Sequence, residues 1–395
     1  MATDPLQLLS RRLFVRRLGV VGLGGVASGI ASGWLGCNVS PEGFDAGKDA
    51  GKDAGKDAGK DAGKDANIDA AANPDAGVRA RGDGCLQFLT PLPDFFRQFG
   101  GAASVEGWSL PELDAESFAL RIEGLVDTPT ELRLADLEAD TEAQVTVLNT
   151  LMCVLGFRST AIWTGIPLRL LLERAGAQRA QAKRVRFFGA DGFENSLPIE
   201  EIYAGPDDIF EPLLVFRIYG QRLPRELGFP FRLLLADRYG YKNTKFIQRI
   251  EVSADDAVIG QYQAKGYPDD ATMEAVAAVT SHRISEMLEA GPVELCGFAL
   301  SGHGAVESVE LALDGGSFEP AELSELSQLR QDFPELDQAV QLGQPERFGF
   351  PMRGVWTVWR KRLELVPGEH RIELRVHDSA GQQGESTPLM FRVGG

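Results

Sequence analysis

Leu151-Met152-Cys153-Val154-Leu155-Gly156-Phe157-Arg158 is the stretch on which the fold turns. It places one cysteine in an apolar run and an arginine five positions later, and Trp163-Thr164-Gly165 follows. A cysteine in such a run is by default a small core residue. Two later segments change its weight. Gly228-Phe229-Pro230-Phe231-Arg232 sets a guanidinium among apolar side chains, where it needs an anion or a carboxylate. Tyr239-Gly240-Tyr241-Lys242-Asn243-Thr244-Lys245-Phe246 adds two lysines that alone would read as a solvated face.

The flanking sequence is mixed α and β from about residue 87 to 253. Residues 118–124 alternate like a strand running into a turn. Residues 166–175 (IPLRLLLERA) have helical spacing and stop at Gly176. Residues 184–189, 213–219 and 246–252 read as strands. Beyond about residue 276 the texture becomes all-β: strand-like runs at 293–300, 306–313, 356–365 and 371–376 are separated by turns at Ser301-Gly302, Asp314-Gly315-Gly316 and Pro367-Gly368. That punctuation predicts an antiparallel sandwich.

Upstream, Ser10-Arg11-Arg12-Leu13-Phe14-Val15-Arg16 precedes a mildly apolar, glycine-rich stretch, residues 18–36. The pattern is similar to a twin-arginine export signal. The stretch would just span a bilayer, but its glycines make a poor permanent anchor. Gly36-Cys37 fits a lipoprotein cleavage site, with Trp34 where that motif wants Leu. Gly-Lys-Asp-Ala then repeats five times from 47 to 66. No apolar residue in that repeat is larger than Ala, so residues 38–85 read as a solvated spacer, and 38 to about 82 as flexible coil would have an r.m.s. span of roughly 35–40 Å. Twin-arginine export carries folded proteins, chiefly those that take up a cofactor before export. The expectation is an exported, periplasmic or membrane-tethered protein, with Cys37 as lipid anchor.

The 395 residues carry a formal charge of −17 at a pI near 4.8, which argues against a nucleic-acid partner. Four cysteines without CxxC or CxxCH exclude a zinc ribbon and a c-type haem. Cys85 and Cys296 could pair outside the cytoplasm.

Taken in order and spacing, the three segments resemble the molybdenum-cofactor domain of the sulfite oxidase family, and the back half resembles that family's immunoglobulin-like dimerisation domain. Gly297-Phe298-Ala299-Leu300-Ser301-Gly302, Val309–Gly316, Trp356-Thr357-Val358-Trp359 and Arg375-Val376-His377-Asp378 carry the second likeness. The resemblance covers roughly residues 90–395. It implies an α+β molybdopterin-binding domain at 86–255, a connector at 256–275 and an all-β immunoglobulin-like sandwich at 276–395, behind a signal at 1–37 and the linker at 38–85.

The resemblance makes Cys153 the metal ligand, and it implies Mo-molybdopterin in its single pyranopterin dithiolene form. Phe95-Phe96-Arg97-Gln98-Phe99 resembles an F-x-R-N-H segment, so Arg97 is implied as a substrate and cofactor arginine, with Phe99 in place of the family's His. Arg158 is implied at the substrate pocket. Asp191, Arg232, Lys242, Asn243, Thr244 and Lys245 fall on cofactor-binding positions. A second family His is Leu227 here. The active-site Tyr is Ala264, with Tyr262 and Tyr267 close by. The departures leave the metal anchor and the basic residues in place and put sulfite as substrate in question.

The resulting expectation is oxygen-atom transfer on a small oxo-anion or sulfur substrate, with Arg97 and Arg158 holding it. Electrons would pass to an external cytochrome or membrane redox subunit. A homodimer is implied through the sandwich. A reductase of sulfoxide-like substrates and a cofactor-free surface binding module are the rivals. His303, His377, His282 and His370 read as structural, and Trp356 and Trp359 as core or dimer contacts.

Overall fold

The computed structural model describes residues 88–97, 109–154, 156–203, 209–281, 287–334, 336–337, 349–386 and 388–394. The segment expected to direct export, Cys37, the repeat spacer, Cys85, Phe99 and His282 lie outside the described residues. No helix among the described residues is long and apolar enough to cross a membrane.

Two five-stranded sheets build the front half. The first runs in the order Thr130–Arg133, Ala119–Gly124, Ile247–Ser253, Arg184–Gly189, Glu194–Pro198. Ala119–Gly124 and Ile247–Ser253 are parallel, and the other pairings are antiparallel. The second contains Val145–Met152, Arg158–Pro167, Leu213–Ile218 and Gln221–Arg222, with Arg232–Leu234 added along Leu213–Ile218. Leu120, Ile122, Val185, Phe187, Ile247 and Ile250 of the first sheet share one apolar core with Ile166, Leu214, Phe216 and Leu233 of the second.

The expected helix begins two residues later than its apolar spacing suggests. Ile166-Pro167 end the strand Arg158–Pro167, and the helix runs Leu168–Arg174 behind Pro167. Proline lacks an N–H and fits a helix start, so it marks the changeover. Gly176, at φ +71°, stops the helix as read.

The larger difference concerns residues 145–167, which form one long antiparallel hairpin, Val145–Met152 against Arg158–Pro167. Both strands are buried on both faces over most of their length, so they lack the two-residue alternation that reveals a half-buried strand. The Cys153–Arg158 interval is simply this hairpin's tip.

In the back half, a four-stranded sheet (Val276–Val279, Gly291–Leu300, Thr357–Leu365, Glu322–Leu323) stacks on a larger one built on Val306–Leu313, Gly368–Asp378 and Leu389–Gly394. Leu295, Val309, Trp359, Leu374 and Val376 fill the space between them. A separate core crosses the two halves: Leu148, Met152, Ile162 and Tyr239 from the front pack with Phe298, Leu300, Trp356 and Val358 from the back. Trp356 and Trp359 are both fully buried. Cys296 is disulfide-bonded and Cys153 is in no disulfide, so the partner of Cys296 lies outside the described residues.

Candidate functional site

The hairpin tip holds Cys153 in place. Its N–H donates to the Phe157 carbonyl at 2.7 Å, and its carbonyl accepts from Gly156 N at 2.9 Å. Residues 88–97 cross beneath the tip. Thr90 N donates to Thr160 O at 2.8 Å, Thr160 N donates to Thr90 Oγ1 at 3.1 Å, and Phe96 N donates to Ser159 Oγ at 3.1 Å. These bonds carry Phe95 and Phe96 to the rim of a cleft. Cys153 opens into it and remains only 8% exposed.

One wall of the cleft is polar. Arg232 and Lys245 line it with Asp191 and Asn243. Arg232 Nη1 donates to the Leu227 carbonyl at 3.1 Å, and Lys245 Nζ donates to the Glu226 carbonyl at 3.0 Å. Both cations thus hold the end of one short 3-10 turn, Arg225–Leu227. Gly228 follows that turn at φ +106°, where a Cβ would sit 3.1 Å from the Cβ atoms of Arg232 and Lys245. A left-handed φ and close side-chain approach together favour glycine. Burial lowers the pKa of Arg232 to about 9. Burial, reinforced by the neighbouring guanidinium, lowers Lys245 to about 7. Asp191 is pushed up by burial, against the Phe193 N–H and the Lys245 charge. An anion entering beside Arg232 and Lys245 would raise both pKa values again.

The other wall is aromatic and aliphatic: Phe95, Phe96, Phe193, Leu227, Tyr241 and Tyr262. Tyr262 stacks on Tyr241 at 4.9 Å between centroids and 10° between planes, and Tyr267 meets it edge-on at 5.2 Å. Burial raises the Tyr262 phenol to about 12, with the nearby Cys153 adding to the effect. Tyr262 is therefore a neutral O–H donor near the thiol at ordinary pH.

The structure gathers Cys153, Asp191, Arg232, Asn243 and Lys245 around this cleft and places four expected residues elsewhere. Lys242 is fully buried and bonded to Asn195 Oδ1 (3.1 Å), Ser196 O (2.7 Å) and Asp269 Oδ1 (2.6 Å). It ties these segments together and is not among the lining residues. The Arg158 guanidinium lies 3.6 Å from the Phe298 ring centroid and near Trp356, against the back half and not on the cleft wall. The cation–π stacking that a flat guanidinium allows accounts for this placement. Arg97 is exposed, donates to the Leu92 carbonyl at 3.2 Å and is not among the lining residues, though its charge reaches Lys245 and helps lower that lysine's pKa. Thr244 is buried outside the lining, its Oγ1 without a hydrogen-bond partner. Its carbonyl accepts from Leu233 N at 2.8 Å.

Phe193 and Gly228 had no functional reading from sequence. The signal for Phe193 was local: Asp191-Gly192 makes a turn in which Asp191 Oδ1 accepts from Phe193 N at 3.0 Å and aims the ring. The signal for Gly228 was its place four residues before Arg232.

The donor set fits a metal carried by an anionic organic cofactor. Cys153 offers a single soft thiolate, and among the described residues no three His, Cys, Asp or Glu side chains converge to hold an ion. A metal here would take its other ligands from its carrier. The buried pair Arg232 and Lys245, packed around Gly228, suits a phosphate on that carrier.

Comparison with known proteins agrees with this chemistry. The family described as oxidoreductase molybdopterin binding domain matches residues 107–259. Mitochondrial sulfite oxidase of Homo sapiens is 27% identical over 333 residues, covering 73% of this chain and 55% of that protein. A putative protein-methionine-sulfoxide reductase subunit, YedZ1 of Azospira oryzae, is 32% identical over 156 residues, covering 40% of this chain and 56% of that protein. The chain spans about half the length of these curated relatives. The solved sulfane dehydrogenase SoxCD of Paracoccus pantotrophus matches with a TM-score of 0.61 over 80% of this chain and 79% of that one. At 20% sequence identity that likeness is one of fold.

Proposed function

We propose, from the premise that this chain belongs to the sulfite oxidase family and carries an oxidoreductase molybdopterin binding domain over residues 107–259, that it catalyses oxygen-atom transfer on a sulfur substrate with Mo-molybdopterin held in the cleft. The observation that carries this reading is a single cleft in which a lone buried thiol, Cys153, is joined by a buried basic pair, Arg232 and Lys245. The cofactor, when bound, supplies two-electron redox chemistry and an exchangeable oxygen. The chain's own residues do the rest. Cys153 would ligate the metal through its thiolate, and Arg232 and Lys245 would hold the cofactor's phosphate. Asn243 is fixed by Leu235 N, which donates to its Oδ1 at 2.8 Å, and keeps the floor of the cleft rigid. The aromatic wall excludes water, and Tyr262 offers a proton-bearing hydroxyl beside the reacting atoms.

The same reading takes residues 86–255 as the cofactor domain and 276–395 as an immunoglobulin-like module through which the chain pairs with a second copy. It takes the N-terminal segment as an export signal with a lipid on Cys37. Electrons would pass one at a time to an external cytochrome or membrane redox subunit. Metal and pterin analysis of protein from a cofactor-competent host tests the core of the proposal, together with X-ray absorption at the molybdenum edge. One molybdenum per chain with a protein sulfur ligand that vanishes in Cys153→Ser is expected. Full pterin content without that ligand would overturn it.

A further inference from the structure

We propose that Gln261 and Asp269 are positioning residues for Tyr262, so that the segment joining the two halves is a held wall of the cleft; what Tyr262 does there rests on the oxygen-transfer reading above. In the sequence, residues 256–275 read only as a connector. In the structure, residues 259–272 form a strap tied at both ends. At the first end, Ile259 N donates to Ser196 Oγ at 3.3 Å and Gly260 bridges to Asn195. Gln261 then bonds twice: its Oε1 accepts from Glu194 N at 3.1 Å, and its Nε2 donates to Gly192 O at 2.8 Å. Those two partners flank Phe193, whose ring meets Tyr262 at 6.4 Å. One side chain thus fixes two rings of the cleft lining together.

The second end is held by charge. Asp269 Oδ1 accepts from Lys242 Nζ at 2.6 Å, and Asp269 Oδ2 accepts from Arg184 Nη2 at 2.5 Å. Lys242 and Arg184 are 0% and 4% exposed. Both also bond Ser196, Lys242 to its carbonyl at 2.7 Å and Arg184 Nε to its Oγ at 3.0 Å. Both ends of the strap therefore return to Asn195-Ser196. Removing a carboxylate from two buried cations is strongly unfavourable, so Asp269 keeps this end down. Next to it, the Pro268 carbonyl accepts from the Tyr241 hydroxyl at 2.9 Å, and Tyr241 is the ring on which Tyr262 stacks. Between the ends, Ala264, Lys265 and Gly266 are exposed and offer little packing. A side chain on such a loop is placed accurately only through the bonds that hold the loop. Lys242 in this way serves the cleft at one remove, through Asp269.

The test starts with cofactor-free protein carrying 3-fluorotyrosine at its six tyrosines. Loss of one fluorine NMR line in each of Tyr262→Phe, Tyr203→Phe and Tyr219→Phe assigns three of them. The Tyr262 line should lie away from that of free 3-fluorotyrosine, because Tyr241 and Tyr267 surround it. In Asp269→Asn and in Gln261→Ala it should move most of the way back, while the Tyr203 and Tyr219 lines stay. Gln261→Ala strips no buried charge and decides the matter where Asp269→Asn does not fold. A Tyr262 line that stays in place in the folded variants would overturn the proposal. Molybdenum-loaded protein supplies the second reading, with sulfite and ferricyanide or with methyl phenyl sulfoxide and reduced benzyl viologen, whichever the parent turns over. Gln261→Ala and Asp269→Asn should each lower kcat at least about tenfold with KM little changed, and should cost nothing further in a Tyr262→Phe background. Losses that add to that of Tyr262→Phe would show a role in stability alone and overturn the proposal. Turnover of neither substrate by fully loaded parent would overturn the oxygen-transfer reading instead, and the fluorine spectrum would still decide the positioning.

Discussion

Lys245 is a residue whose charge depends on what fills the cleft. In the cofactor-free protein its pKa is about 7, against an ordinary 10.5. Between those values the unfolded chain holds a proton that the folded chain lacks, so this group makes stability rise as pH climbs from about 7 towards 10. A bound phosphate restores the ammonium, so binding above pH 7 takes up a proton. Calorimetric titration of cofactor-free protein with inorganic phosphate, in buffers of different ionisation enthalpy, should show uptake at pH 8 that disappears in Lys245→Met. Cys153 carries a different expectation. Cys153→Ser should keep the fold and most of the pterin, because the phosphate contacts lie in other segments. Turnover should fall at least about 10²-fold, roughly 2.7 kcal/mol of barrier, because sulfur donation to the metal is lost. Serine activity equal to the parent's, with full metal content, would return Cys153 to the role of a core residue. His370, which carried no signal in the sequence, has acceptors at both ring nitrogens: Asp314 Oδ2 at 2.8 Å and Val366 O at 2.7 Å. The Val366 carbonyl, then Asp314, raise its pKa. Its stabilising contribution is full below the ordinary value of 6.5 and is lost as pH rises through the raised one. Thermal melts across that interval should lose this component in His370→Gln.

At the scale of elements, the turn Arg225–Leu227 with Gly228 matters as much as the residues it positions. Its last two carbonyls receive the two cations, and the glycine leaves room for both side chains. Gly228→Ala places a Cβ against Arg232 and Lys245 in a left-handed conformation, at a cost of about 1–3 kcal/mol. Cofactor content should fall with it, measured as molybdenum per chain, while activity per bound molybdenum stays nearer normal. Equal content in the variant and the parent would show that the turn does not organise the cradle. The hairpin 145–167 acts in the same way on Cys153. Thr150 Oγ1 and Thr160 Oγ1 bond at 2.7 Å across the ladder, and Trp356 N donates to Thr150 Oγ1 at 3.1 Å. The back half thereby supports the strand that ends at the thiol.

For the whole molecule, the contact between the halves sets the stability. Besides the shared core, Arg353 reaches from the back half to Asp237 at 2.7 Å and to the Gly302 carbonyl at 2.8 Å. Asp237 is 4% exposed and also faces Arg238 at 2.7 Å. Removing one partner of a buried ion pair leaves the other charge dehydrated, and the remaining Arg238 keeps the loss at the low end of that range. Arg353→Met should cost roughly 3 kcal/mol in chemical denaturation. Because Leu148, Met152 and Ile162 share a core with Phe298 and Trp356, both halves should still unfold in one transition. Two resolved transitions in the parent would contradict a common core.

Much of this protein was legible before any coordinates. Local apolar rhythm and punctuation gave the strands at 184–189 and 306–313, the helix stop at Gly176 and the change to all-β texture beyond 276, because each depends on neighbours in sequence. The oddity of Arg232, a guanidinium inside an apolar run, was enough to demand an anion or a carboxylate. The hairpin carrying Cys153 was hidden, since strands buried on both faces show no alternation. The placements of Lys242 and Arg158 were beyond the sequence. Lys242 and Lys245 stand three residues apart in one polar run, yet one is sealed against Asp269 and the other opens on the cleft. Arg158 reads as a pocket residue until the back half brings Phe298 beneath it. A charged side chain goes to the partner that best replaces its water, and only tertiary structure decides which partner is within reach.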